Sequence, residues 1–207
     1  MKFMKVAIWK EPLFHYSPGM PKKRSEIQRH AERSAPERAA EFLEAGRVAH
    51  LAFVDGEQPI AIPFGYHFDP ARPDRLYLHG SPASRALRLA ASGVPVSVTV
   101  TLLDGLVYSK TARYHSMNYR CVVCFGRGRL VTDRAAQQQV YAGMVRRYFQ
   151  GRTAGRDYSP ATEAHLAATL LVEISIEEWS AKTREGGPLG PLDADPGAPG
   201  TCGVAPL

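Results

Sequence analysis

The sequence predicts an α+β fold built on a mainly antiparallel β-barrel of six or seven strands with a few flanking helices. Three observations lead there. Short β-branched and aromatic runs follow one another, separated by turn signals and not by long helical segments. Two Asp-Gly pairs, Asp55-Gly56 and Asp104-Gly105, carry the turn chemistry of tight hairpins. A single helical segment interrupts the strands after the third run, too few for the strand–helix alternation of a doubly wound sheet. No internal repeat is visible at a fixed period.

Taken in order, the first helix signal is Ser34-Ala-Pro-Glu37. It is a capping box ahead of Ala39, Ala40, Phe42 and Leu43 on one face, with Gly46 as the stop. Val48 to Val54 reads as the first strand. The second, Pro59 to Phe68, contains two prolines and is expected at a sheet edge or with a bulge. A Pro- and Asp-rich turn, 69–74, leads into the strand Leu76 to His79. A helix follows with Ser81 at its N-cap, Pro82 at its first position and Gly93 at its end. Val94 to Leu103 and Leu106 to Tyr114 form a hairpin through Asp104-Gly105. Cys121 to Val131 is the sixth strand, where Gly126-Arg-Gly128 marks a bulge. Asp133 caps a helix reaching Tyr148 or Phe149, with Tyr141, Val145, Tyr148 and Phe149 as an apolar stripe. A short helix around Thr162 to Ala168 precedes the last strand, Leu170 to Ile176, and the chain beyond Gly186 is Pro/Gly-rich and expected to be irregular. This divides the chain into an N-terminal arm (1–33), one domain (34–184) and a tail (185–207) that packs on the domain or on a dimer.

The 207 residues suffice for one domain with a sizeable core, and 44% hydrophobic with 22% charged residues is ordinary for a soluble globular protein. The net charge of +6 slightly favours acidic or phosphorylated small ligands. No dense Lys/Arg stripe accompanies it, so no nucleic-acid partner is predicted, and Pro21-Lys-Lys-Arg24 reads as a solvated arm. No apolar run reaches the ~18 residues of a membrane span. The first twenty residues lack the apolar core and cleavage site of a signal peptide. Three cysteines, Cys121, Cys124 and Cys202, point to reduced thiols and a cytoplasmic protein. Cys121 and Cys124 lie three apart on a strand and face opposite sides, so one metal cannot take both, and no metal site is predicted.

The segment from Leu76 to Gly93 carries the most chemistry. A strand runs into a helix start whose first turn holds Ser84 and Arg85, and a hydroxyl, a guanidinium and free backbone N–H groups together suit a phosphate monoester. The alternative is an ordinary capped surface helix with a solvated arginine. His79 and His115 are the candidate catalytic residues, because imidazole near polar loops can shuttle protons, bind a metal or haem, or orient an anion. His50 and His67 lie within strands and read as half-buried structural residues; His15, His30 and His165 carry no context. The chain has no G-x-S-x-G, H-E-x-x-H or Walker loop, which leaves hydrolase and nucleoside-triphosphatase readings without support.

The run Leu-Tyr-Leu-His-Gly-Ser-Pro-Ala-Ser-Arg, with the following helix and Val94-Pro-Val-Ser-Val-Thr-Val100, resembles the flavin-binding split-barrel superfamily of pyridoxamine 5′-phosphate oxidase. Leu103-Asp-Gly-Leu-Val107, Tyr114-His-Ser-Met-Asn-Tyr-Arg120, Trp179-Ser-Ala-Lys-Thr-Arg184 and Gly203-Val-Ala-Pro-Leu207 look more narrowly like its nitroimidazole-resistance branch. The resemblance runs from about residue 34 to the C-terminus and implies a split β-barrel with FMN at the interface of a homodimer. By position, Ala61, Ile62 and Pro63 would lie along the isoalloxazine ring, with Leu78 and His79 beside the ring and phosphate chain. Ser84 and Arg85 would bind the phosphate. Arg120 and Cys121 would approach from the other subunit, and Lys182 and Arg184 would add polar contacts.

Two positions depart from the family pattern. Ala86 stands where a lysine is expected after Ser-Arg, with Arg88 one turn away as a partial replacement, and Cys121 stands where the branch carries serine. The substrate-phosphate residues of pyridoxamine-phosphate oxidation have no match. The resemblance therefore implies a cytoplasmic FMN-dependent oxidoreductase acting on a small planar or nitro-aromatic molecule. The alternatives are a flavin- or haem-binding protein without turnover, with His79 or His115 as axial ligand, and a deazaflavin-dependent reductase.

Overall fold

The computed structural model describes residues 23–207; most of the N-terminal arm, with His15, lies outside the described residues. Eight strands form one antiparallel sheet: β1 (Ala49–Asp55), β2 (Gln58–Phe64), β3 (Tyr66–Phe68), β4 (Arg75–Gly80), β5 (Pro95–Tyr108), β6 (Ser116–Leu130), β7 (Leu170–Arg184) and β8 (Gly203–Pro206). Their spatial order is β2-β1-β5-β6-β7-β4-β3, with β8 added beside β5. Four helices flank the sheet: α1 (Ala39–Ala45), α2 (Arg85–Ala91), α3 (Arg134–Tyr148) and α4 (Glu163–Ala167). The α+β class and the antiparallel sheet agree with the sequence reading, and the sheet is not closed.

The predicted strand 59–68 is two strands, and the division explains the curvature. β2 pairs with β1 and β3 with β4, so these neighbours in the chain form opposite edges of the sheet with only Gly65 between them. Consecutive Cα atoms are 3.8 Å apart, so the sheet must curl until its two edges nearly touch at this point. No ladder joins them. The two prolines do lie on an edge strand, where a missing N–H breaks no ladder bond.

The seam is held from α3. Tyr148 Oη accepts from the Tyr66 N–H at 2.9 Å and lies 3.0 Å from the Tyr66 carbonyl and 2.8 Å from that of Arg47. Arg147 donates to the carbonyls of Leu43 and Gly46 and stacks over the Tyr66 ring, 4.5 Å from its centroid. Tyr66 is fully buried and donates to the Leu43 carbonyl at 2.6 Å. Tyr148, read from the sequence as part of an apolar stripe, thus acts through its hydroxyl, while Phe149 is 60% exposed.

Inside the curl, α1 contributes Phe42 and Leu43, and α2 contributes Ala86, Leu87 and Ala90 to the core facing Leu51, Leu76, Leu78, Val98 and Val122. Strand alternation sends Tyr77 outward from β4, into a second cluster with Val131, Val140, Met144 and Leu171 beneath α3. The sheet around β3, β4 and β7 is therefore covered on both faces.

Local expectations fail where a tertiary partner intervenes. Ser34 does not cap α1: it bridges Lys182 on β7, the Ala35 N–H bonds the Ala181 carbonyl, and a 3-10 turn at Pro36–Arg38 leads into the helix. Ser81 does not cap α2 either. It closes a turn to Ser84, and Ser84 caps the helix. Asp104-Gly105 makes no hairpin, because β5 runs on to Tyr108 and absorbs the pair as a bulge while Arg120 takes the Asp104 carboxylate. β6 starts at Ser116 and β7 continues past Ile176 to Arg184, each fifteen residues long. The tail is not wholly irregular, since β8 pairs with Gly105–Tyr108. The bulge at Gly126 is present, and a Cβ there would lie 1.9 Å from the Ser175 carbonyl oxygen.

Replacing Tyr148 by Phe removes the acceptor of a part-buried N–H at the seam and is expected to lower unfolding free energy by about 1–3 kcal/mol in urea. Phe149→Ala on the exposed neighbour should change it by less than about 0.5 kcal/mol.

Candidate functional site

The phosphate-suited corner is assembled by α2 and the β1–β2 turn. Ser84 Oγ accepts from the Leu87 N–H at 3.3 Å as the N-cap, which leaves its own proton free to donate. Arg85, 65% exposed, reaches Asp55 at the end of β1 at 2.9 Å. Arg88 donates to the Pro82 carbonyl at 3.0 Å and so braces the preceding turn. Ala86 is 2% exposed and faces the core, so a lysine at this position would bury its ammonium. Its absence takes no cation from the corner.

A shelf lies on the outward face of the sheet, on strands that include the two joined by the turn where Arg85 meets Asp55. Ala61, Ala52, Ser97 and Phe125 are register partners on four successive strands, β2, β1, β5 and β6, and so form one straight row. Small side chains in that row leave a groove of about 470 Å³, bordered by Val54, Pro59 and Pro95. Arg24 closes one end, with its guanidinium 5.5 Å from the Phe125 ring centroid and ion pairs to Glu177 and Glu178. Ala61 and Pro63 are exposed while Ile62 packs against the core. As an edge strand, β2 turns alternate backbone groups away from the sheet, free to bond a flat heterocycle. The platform is apolar and flat enough for an aromatic heterocycle, and the nearest phosphate-suited groups, Ser84 and Arg85, reach its strands through Asp55.

The other proposed residues occupy different places. Leu78 is fully buried, so only its backbone could meet a ligand. Arg120 clasps Asp104 through Nε and Nη2 at 2.9 and 2.6 Å. That bidentate bond and its charge hold Asp104 below the usual carboxylate range and raise Arg120. Cys121 stands between Thr101 and Lys182 in the ladder, its thiol pushed up by burial. Cys124, on the opposite face, is pushed up to about 12 by burial. Lys182 Nζ donates to the Arg29 carbonyl at 3.2 Å. Arg184, 7% exposed, binds Asn118 Oδ1 and the carbonyls of Gly186 and Gly187, so its guanidinium anchors the start of the tail. His115 is exposed, with Nδ1 3.2 Å from the Ala112 carbonyl and its ring edge-on to Tyr108.

Two histidines meet beneath α3. The His79 ring packs edge-on to Tyr141, centroids 5.7 Å apart, and desolvation lowers its pKa although the residue keeps an exposed edge. His67 pairs with Tyr77 across β3 and β4, its ring stacked at 6.0 Å. Its Nδ1 is buried and has no hydrogen-bond partner. Burial first, then the charge of Arg147, lowers its pKa and favours the neutral, ligating form. A Cβ at Gly143 would lie 2.3 Å from His67 Cε1, so glycine in mid-helix is what admits the ring. His67 borders two cavities of about 400 and 230 Å³. Sequence periodicity reads it only as structural. The signals that pick it out are a histidine opposite Tyr66 and Phe68 in a three-residue strand, and a glycine inside a helix.

A curled, open antiparallel sheet with few flanking helices defines a split-barrel fold. The chain belongs to the pyridoxamine 5′-phosphate oxidase family, whose model matches residues 35–183. An FAD and heme binding protein from Mycobacterium smegmatis is similar at 34% identity and a TM-score of 0.75, over 84% of each chain. The flavocytochrome Anf3 from Azotobacter vinelandii is similar at 29% identity and a TM-score of 0.78, over 92% of this chain and 86% of its own. A putative 5-nitroimidazole antibiotic resistance protein from Bacteroides thetaiotaomicron, at 17% identity and a TM-score of 0.59, covers 72% of this chain and 83% of its own and shares the fold. No curated protein matches the chain. Among the described residues no helix is long and apolar enough to cross a membrane, and no cluster of three or more His, Cys, Asp or Glu could hold a metal ion.

The depressed Asp104 carboxyl contributes stability above its unfolded pKa of about 3.9, and that contribution is lost as pH falls through its lower folded value. Asp104→Asn should therefore lower Tm at neutral pH and flatten the decline of Tm below about pH 4, measured by thermal denaturation across pH.

Proposed function

We propose that this protein is a flavin-dependent oxidoreductase that acts as a homodimer on a small planar substrate, a nitro-aromatic molecule being one class that fits. Ala52, Ala61, Ser97 and Phe125 would carry the flavin ring, and Ser84 and Arg85 would hold its phosphate. The observation that carries this reading is the apolar shelf across β2, β1, β5 and β6, in a family member 34% identical to an FAD and heme binding protein. FMN is the flavin its resemblance implies; FAD is the one named for that relative. A bound flavin supplies electron or hydride transfer, and the protein supplies position and electrostatics. Ser84 and Arg85 hold the phosphate, Ala61 to Pro63 offer edge-strand backbone to the ring, and the apolar shelf keeps water from one ring face. The exposed Leu103, Tyr108 and Met117 near the β5–β6 ends are apolar surface suited to a second subunit.

One observation favours a haem beside the flavin. Among His67, His79 and His115, His67 has a buried ring nitrogen without a partner and borders two cavities, while His115 lies exposed. His67 would hold the haem, in place of the His79 or His115 suggested by the sequence. Haem there would supply a one-electron centre.

Purified protein should carry or bind FMN or FAD, identified by absorbance and mass spectrometry of the released cofactor. Arg85→Glu should weaken that binding about tenfold or more. Absence of affinity for both at micromolar concentration removes the flavin reading, and preferential binding of a deazaflavin replaces it. Added hemin should give a Soret band that His67→Ala abolishes and His79→Ala and His115→Ala retain.

A further inference from the structure

We propose that the cleft between α3 and the β3–β4 turn is a carboxylate-binding site in which Arg72 and Arg146 hold the anionic groups of a ligand seated at His67. Two cavities, of about 400 and 230 Å³, meet at His67, Asp69 and Arg146. Between them they are lined by four arginines, Arg47, Arg72, Arg146 and Arg147, against two carboxylates, Glu44 and Asp69. This leaves the cleft with an excess of positive charge.

Several arginines elsewhere in the fold are held by acids. Arg75 and Arg129 share Glu173, Arg120 clasps Asp104, and Arg38 meets Glu41 and Glu185. Among the described residues, no carboxylate lies within ion-pair distance of Arg47, Arg72, Arg146 or Arg147. Arg47 and Arg147 use their guanidinium groups on the backbone carbonyls of residues 43–46. Arg72 and Arg146 make no side-chain hydrogen bond among the described residues, and their donors are unassigned. Of the two acids, Asp69 accepts the Ala71 N–H with one oxygen, and Glu44 has no ion pair among the described residues. Guanidinium forks left open around a concavity match carboxylates in geometry and charge.

The remaining walls combine apolar or flat groups, Phe68 and Pro70 in one cavity and Tyr77, Ala136 and Val140 in the other, with the amides of Gln150 and Gln139. The larger cavity, about 400 Å³, falls within the ~300–1,000 Å³ of ordinary ligand sites, and the smaller, about 230 Å³, just below it. A ligand spanning both would place an apolar body against these walls and its carboxylates toward Arg72 and Arg146. The carboxylates are the propionates of haem, where the proposal rests on the haem reading above, or those of a free polycarboxylate.

The test uses the full chain with Arg72→Ala, Arg146→Ala and the double variant. Both side chains are exposed and make no side-chain hydrogen bond or ion pair among the described residues, so their removal should preserve folding, with far-UV circular dichroism as the check. Hemin, metal-free protoporphyrin IX and hemin dimethyl ester are titrated, and citrate is tested by thermal shift. The double variant should raise Kd for hemin and for protoporphyrin IX about tenfold or more and leave ester binding unchanged. If hemin does not bind but citrate raises Tm in wild type and not in the double variant, the haem reading fails and the carboxylate site stands with a free acid as its ligand. If hemin binds wild type and double variant alike, the haem reading stands and the carboxylate site is overturned. It is also overturned if neither porphyrin nor citrate distinguishes the double variant from wild type.

Discussion

The short connection at Gly65 constrains the rest of the molecule. Because β2 and β3 are the two edges of the sheet and are joined by one residue, the strands between them must curl into an incomplete barrel. Such a seam exposes unpaired backbone groups, and α3 supplies partners for those beside the join: Tyr148 bonds the backbone of Tyr66, and Arg147 the carbonyls of Leu43 and Gly46. The same helix end therefore ties together β3, α1 and the start of β1. Tyr66, fully buried beneath the Arg147 guanidinium, is the point where these bonds and the hydrophobic core meet.

That closure divides the surface into two working faces. On the outside of β2, β1, β5 and β6, small residues in register make a shelf, and Arg85 at the start of α2 meets Asp55 at the end of β1. On the outside of β3 and β4, α3 covers His67, Tyr77 and His79 without filling the space around them. The alternation of strand side chains links the two faces to the core. Each outward Ala52 or His67 has inward neighbours, Leu51 and Phe53 or Tyr66 and Phe68, that anchor the strand. The long β6–β7 ladder runs behind both, with its far end fastened by Arg120 on Asp104 and Arg184 on the tail.

Much of the fold was legible in the sequence because it rests on local signals. Strand runs, the Asp133 cap of α3, the Gly126 bulge and the absence of strand–helix alternation are each written in a few neighbouring residues. The failures share one cause. Ser34, Ser81 and Asp104-Gly105 carry correct local chemistry for caps and turns, but another residue claims their groups or redirects the backbone. Lys182 pairs with Ser34, and Arg120 clasps Asp104; at Ser81 the competitor is closer, since Ser84 offers the cap at the turn nearest the core. The tail strand β8 was illegible because Gly203–Pro206 has no strand pattern of its own and is ordered by the open edge of β5.

By itself, the sequence determined the α+β class, the strand-rich order, the family resemblance and the phosphate chemistry of Ser84 and Arg85, because these depend on residue types at short spacing. The tertiary structure alone decided which groups remain free. Arg184 and Arg120 are engaged within the fold, Ala86 faces the core, and His67, ordinary in sequence, keeps a buried nitrogen without a partner. Whether a polar group is satisfied depends on what the folded chain brings beside it, and for His67 those neighbours come from a helix more than seventy residues away.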